Sequence, residues 1–148
     1  GLSLVAASDF AVASSLSNFG AAFAKVGLTA DCGLLWSLPQ RVGLVCAKDM
    51  MLTGRPVGAE EALRIGLVDR IVDPGEVLDG AIAKAGEYLA SAPLSLAAIR
   101  SGLAGGPTSL DQFLDLENEQ QPMLTMTRDH QEGRTAFLEK RAPVFSGR

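Results

Sequence analysis

The chain has 148 residues, 47% of them hydrophobic, with a net charge of −4 and a pI of about 4.9. One compact domain is the default at that length, and the acidic balance leaves no basic footprint for nucleic acid and no Lys/Arg block for anionic lipid. Two cysteines, Cys32 and Cys46, are too few for a disulfide framework, and the single histidine, His130, excludes a His-cluster metal site and argues against a Ser-His-Asp triad.

The opening GLSLVAAS is apolar with small residues, suited to close packing as a helix or a strand. It lacks the charged start and cleavage site of a signal peptide, and beginning on a Gly-apolar run suits a chain that starts partway into its fold. Asp9 to Ala13 alternates and predicts a short strand. Ser14, Ser15, Ser17 and Asn18 predict a polar turn. From Asn18 to Val42 the chain is almost entirely apolar or Gly, with Lys25 and Asp31 the only charges before Arg41. Pro39 punctuates the apolar run from Cys32, and Val42 to Leu52 is loosely helical. Thr53-Gly-Arg-Pro predicts a turn, Glu60 to Ile65 a short helix ended by Gly66, and Val68 to Val72 a strand before the Asp73-Pro-Gly turn.

The remainder predicts helices. Val77, Leu78, Ala81, Ile82, Ala85 and Leu89 share a face. Pro93 opens a second helix, which runs to about Leu103 and breaks at Gly105-Gly-Pro107. Ser109 caps a third over Leu110 to Met126, with Phe113, Leu116, Gln120 and Met123 along one side and a kink or break at Pro122. The fourth runs from about Asp129 to Lys140. No apolar run approaches the roughly 18 residues of a membrane span.

Asp31 is the residue that invites a chemical reading. Asp before Cys32-Gly33 is a common turn former whose carboxylate accepts backbone N–H bonds; a carboxylate in an apolar cleft can instead move protons. Three further runs bear on the choice: Met51-Leu-Thr-Gly-Arg-Pro, Ala59-Glu-Glu-Ala-Leu-Arg-Ile-Gly-Leu-Val-Asp-Arg-Ile-Val, and Glu132-Gly-Arg-Thr-Ala-Phe-Leu-Glu-Lys-Arg-Ala-Pro-Val-Phe. Together with Asn18–Val42, and in that order, they resemble the second half of the enoyl-CoA hydratase/isomerase (crotonase) superfamily.

The resemblance implies an α/β fold: the C-terminal half of a crotonase-like (ClpP/crotonase) ββα superhelix, mostly helical with a few short strands. It implies that residues 1–73 complete the core and residues 74–148 form a helical trimerisation region. It implies an acyl-CoA thioester as substrate, a homotrimer or dimer of trimers (or pairing with a separate N-terminal segment), a cytoplasmic location, and no metal or cofactor beyond the coenzyme A of the substrate. The chemistry passes through a thioester enolate, which needs two N–H donors on the oxygen and carboxylates to move protons.

By resemblance the two glutamates of the hydratases fall at Ser3 and Phe23, neither of which can serve as a base. Asp31 falls where the enoyl-CoA isomerases and the ring-opening isomerases of phenylacetate breakdown carry their single acid/base carboxylate. Phe23 and Trp36 are candidates for the acyl pocket or the core. Phe137 and Lys140 fall where family members approach the adenine and phosphate end of coenzyme A; a core Phe and a solvated Lys are the plainer alternative. The family's oxyanion donors map outside these residues, so the chain alone is expected to be a weak enzyme. The activity implied is isomerisation, in fatty-acid or aromatic-acid degradation where such enzymes are often called hydratases; the alternative is an inactive acyl-CoA-binding or oligomerisation fragment. Cys32 is expected as a small buried residue, and Arg55 as exposed.

Overall fold

The computed structural model describes residues 1–104 and 108–148; the helix break expected at Gly105-Gly-Pro107 lies outside them. The described chain is α/β, with seven helices and four very short strands. It divides into two compact units, Gly1–Ala83 and Lys84–Arg148, so the division falls within a helix.

In the first unit, α1 (Leu2–Ala7) lies along α2 (Leu34–Thr53). β1 (Val12–Ser14) runs parallel to β4 (Arg70–Val72), pairing Val12 with Arg70 and Ser14 with Val72. A parallel pair demands a long crossover, and the 55 residues between Ser14 and Arg70 supply it. That crossover holds β2 (Asn18–Phe19), a 3-10 turn (Ala22–Val26), α2, β3 (Val57–Gly58) and α3 (Ala59–Arg64). β2 and β3 pair antiparallel, Phe19 opposite Val57. The pair was not expected: two-residue strands leave no period for the sequence to display, and Asn18 reads as turn.

The core of this unit is made by Leu34, Leu38, Met50, Val57, Leu67 and Val68, all at most 2% exposed, with small residues such as Ala13, Ala47 and Ala62 letting the elements close on one another. Burying a Leu of this kind contributes roughly 1.5–3 kcal/mol. Pro39 does not end α2. It removes one helical hydrogen bond, and the helix continues to Gly43. There the backbone turns to φ 79°, ψ 155°, a conformation open in practice only to glycine, and the helix kinks.

The second unit begins within α4 (Val77–Leu89) and continues through α5 (Pro93–Leu103), α6 (Leu110–Thr125) and α7 (Arg128–Glu139). The expected stripe on α4 is open: Leu78 and Leu89 are 68% and 83% exposed. Ser109 caps α6 as expected, accepting the Gln112 amide. Pro122 sits inside α6 without breaking it. Phe113, Leu116 and Gln120 are half-buried, but Leu124 continues that face while Met123 points outward. α7 starts a residue earlier than expected because Thr127 accepts the His130 amide at 3.1 Å. Among the described residues no helix is long and apolar enough to cross a membrane.

Candidate active site

Asp31 lies in a turn that reverses the chain into α2. Cys32 and Gly33 both adopt left-handed backbone, with φ of 50° and 75°. For Cys32 that conformation costs about 1–2 kcal/mol; Gly33 takes it freely. The turn closes through the Asp31 carbonyl, which accepts the Leu34 amide at 3.0 Å, and through the Gly33 carbonyl, which accepts those of Trp36 and Ser37 at 3.0 Å. The Asp31 side chain is exposed and has no hydrogen bond or ion pair among the described residues. The backbone makes the turn, and the carboxylate is left over. The same left-handed turn carries Cys32 outward, so this thiol is exposed rather than buried.

The surroundings of Asp31 along the chain are apolar and unusually open. Val26, Leu28, Leu35 and Trp36 are 60–71% exposed. Trp36 is therefore not part of this unit's own core, while its neighbour Leu34 is fully buried. Phe23, in the 3-10 turn, is half-buried and packs against the hydrophobic core. A Cβ on Gly54, at the end of α2, would meet the Lys25 side chain at 3.1 Å and the Ala22 Cα at 3.3 Å, so glycine there lets the 3-10 turn close against α2. Ser3 is buried, 7% exposed, on α1. Neither Ser3 nor Phe23 brings a carboxylate.

Arg55 is half-buried, not exposed as expected. Its guanidinium grips both oxygens of Glu61 at 2.8 and 3.0 Å and also bonds Asp49. Those hydrogen bonds raise the Arg55 pKa and hold the Glu61 carboxyl below its usual range. This arginine fastens α3 to the end of α2.

Within the second unit, Phe137 is 82% exposed, so it is not part of that unit's own core. Lys140 is exposed and ends α7 in left-handed backbone, φ 56°, its amide donating to the Phe137 carbonyl at 3.3 Å. An aromatic face and an ammonium thus sit at one helix end, both open. The C-terminal tail is tied back onto α7. Buried Asp129 accepts the Ser146 and Gly147 amides at 2.7 and 2.8 Å. Glu132 takes a two-pronged bond from Arg141 at 2.6 and 2.9 Å and the Val144 amide at 2.9 Å. The Arg141 bond, then the Val144 amide, lowers the Glu132 pKa to about 2. A cavity of about 300 Å³ lies beside this tail, lined by Gln121, Leu124, His130, Arg134 and Phe145 among others.

Sequence reasoning missed Arg41. Its guanidinium reaches the carbonyls of Ser8 at 2.6 Å and Leu67 at 2.8 Å and the carboxylate of Asp69, whose same oxygen accepts the Ala11 amide at 2.7 Å. One signal was available: Arg41 follows Leu34 by seven and Leu38 by three, which puts it on the buried face of α2.

Known proteins corroborate the resemblance. The profile described as enoyl-CoA hydratase/isomerase matches residues 1–148. The chain is 35% identical over 150 residues to 1,2-epoxyphenylacetyl-CoA isomerase of Escherichia coli (strain K12), covering 100% of this chain and 57% of that protein. It is 35% identical over 153 residues to carnitinyl-CoA dehydratase of Escherichia coli O157:H7, covering 100% and 59%. Among solved structures, an enoyl-CoA hydratase from Bacillus anthracis superposes with a TM-score of 0.93 at 28% identity, covering 100% of this chain and 58% of that one. The chain thus spans under three-fifths of the length of these relatives, and over that span its fold is that of the crotonase-like half. It belongs to the enoyl-CoA hydratase/isomerase family.

Proposed function

We propose that the protein to which these residues belong shifts the double bond of an enoyl-CoA thioester, with Asp31 as its single acid/base group. The Asp31 carboxylate takes a proton from C2 of a 3-enoyl thioester, the electrons pass into a dienolate, and the same carboxyl returns the proton at C4. One carboxylate suffices, and atoms and charge balance without a second reactant. The supporting observation is the contrast among three positions: Asp31 offers an unengaged carboxylate, while Ser3 and Phe23 offer none. Two-carboxylate hydration is disfavoured by the same contrast.

The open apolar residues beside Asp31 suit an acyl chain, and Phe137 with Lys140 suits an adenine and a phosphate. No separate cofactor enters the step. We further propose that the exposed apolar stripe of α4 is covered by another subunit in a trimer or dimer of trimers, since leaving it in water forgoes about 25 cal/mol for each Å².

A second reading is a non-catalytic acyl-CoA-binding or oligomerisation fragment. It is favoured by the span, 57–59% of the relatives' length. Assays on two substrates discriminate. A 3-enoyl-CoA converted to the conjugated 2-enoyl thioester, with no hydration of a supplied 2-enoyl-CoA, supports the isomerase. Hydration as fast as isomerisation would contradict it. Coenzyme A binding with no reaction on either substrate, even when the segment of a relative that this chain does not span is supplied in trans, would favour the fragment.

A further inference from the structure

The Asp31 turn is continuous with a short stretch of helix, and one side chain fastens the far end of that stretch. Leu34 and Leu38 are fully buried on one face of α2, and the Arg41 side chain, on the same face, is only 12% exposed. Arg41 makes three bonds in three directions. Nη1 reaches the Ser8 carbonyl at the end of α1, Nε the Leu67 carbonyl beyond α3, and Nη2 the Asp69 carboxylate at the entrance to β4. Asp69 in turn holds the Ala11 amide ahead of β1. Two residues after Arg41, Gly43 breaks the helical backbone. The orientation of Leu34–Val42 is therefore not inherited from the second half of α2. It is set by the buried Leu34, Leu38 and Val42 and by Arg41.

We infer that Arg41 is a positioning residue for Asp31, an inference resting on the reading of Asp31 as the proton carrier. Leu34 to Arg41 spans about 10 Å at 1.5 Å per residue. A tilt of about 6° about the Arg41 end then moves the Asp31 turn by about 1 Å, a displacement that typically costs a catalytic group about 10²-fold. A planar guanidinium satisfies three divergent acceptors at once. An ammonium is a point charge on a flexible stem and holds them less rigidly.

The test reads turnover and amide hydrogen exchange in the same variants of the whole protein to which these residues belong. Arg41→Met is expected to lower kcat on 3-enoyl-CoA by about 10–100-fold, with KM changed less than about twofold. Exchange at the Leu34, Trp36 and Ser37 amides is expected to rise by about tenfold or more. The Gly54 amide, bonded to the Met50 carbonyl beyond the kink, keeps its wild-type rate, and Arg41→Lys recovers part of both losses. Unchanged exchange at the three turn amides, an equal rise at Gly54, or an effect on KM alone would overturn the inference. Should Arg41→Met not fold, Asp69→Asn removes the charge Arg41 pairs with and keeps an oxygen for Ala11, and it is held to the same pattern at smaller amplitude. Full activity in Asp31→Asn with the exchange pattern intact would sink the reading of Asp31 and leave Arg41 as the anchor of the turn. An inactive Asp31→Asn without the exchange pattern would sink the role of Arg41 alone.

Discussion

Asp31 and Leu34 are joined through the backbone: the Asp31 carbonyl accepts the Leu34 amide at 3.0 Å, while the Asp31 carboxylate engages nothing among the described residues. A turn-forming aspartate normally spends its side chain on nearby amides. Here the left-handed Cys32 and Gly33 make the turn, and the carboxylate is left unengaged among the described residues.

Leu38 anchors the buried face of α2 midway between the Asp31 turn and Arg41, and it is 0% exposed. Leu38→Ala is expected to destabilise the fold by about 2–5 kcal/mol, through lost burial and the cavity left behind. Urea denaturation checks this, as a lower midpoint at unchanged slope.

Gly43 supports the kink by its backbone alone, because a Cβ there would meet no atom within 4 Å. Gly43→Ala is expected to cost about 1–3 kcal/mol from strain. A stabilised Gly43→Ala variant in thermal unfolding would show that α2 prefers to be straight.

Much of this fold can be read from the chain. The helices announce themselves through periodic apolar residues from Val77 to Leu89, through Pro93 at a helix start and through Ser109 as a cap. β2 and β3 do not, because Asn18–Phe19 and Val57–Gly58 are too short to alternate. Pro39 misled because a proline removes one hydrogen bond and need not end a helix, while Gly43 could reach a backbone that proline cannot. The position of Asp31 came from resemblance, and its unengaged carboxylate came only from the structure. Arg41 was illegible because its partners lie 33, 26 and 28 residues away in sequence. No local pattern records such distances.

The tail clamp should weaken in acid. The Glu132 pKa falls from 4.5 to about 2 on folding. A carboxyl depressed in this way contributes fully above the unfolded value, and its contribution is lost as pH falls from about 4.5 through about 2. Asp129 is shifted in the same direction, first by the Ser146 amide. Exchange at the Val144 and Gly147 amides, followed from pH 7 to pH 2 and corrected for intrinsic rates, is expected to lose protection only below about pH 4.5. Glu132→Gln should flatten the change at Val144. Protection lost already near pH 6 would contradict the assignment.

Phe137→Ala is expected to raise KM for an acyl-CoA about tenfold with little change in kcat, since stacking on a base contributes about 1–3 kcal/mol. Its 82% exposure predicts an unchanged melting temperature. The same KM shift with a pantetheine thioester lacking the nucleotide would place Phe137 elsewhere.

The central claim, that Asp31 carries the proton, is met most directly by steady-state kcat for 3-enoyl-CoA isomerisation in wild type and Asp31→Asn. The amide matches the carboxylate in size but cannot take up the proton, and the Asp31 side chain has no partner among the described residues whose loss would disturb the fold. The expected result is a fall in kcat of about 10²–10⁴-fold, with an unchanged melting temperature and KM. An Asp31→Asn protein that isomerises at the wild-type rate would contradict the account.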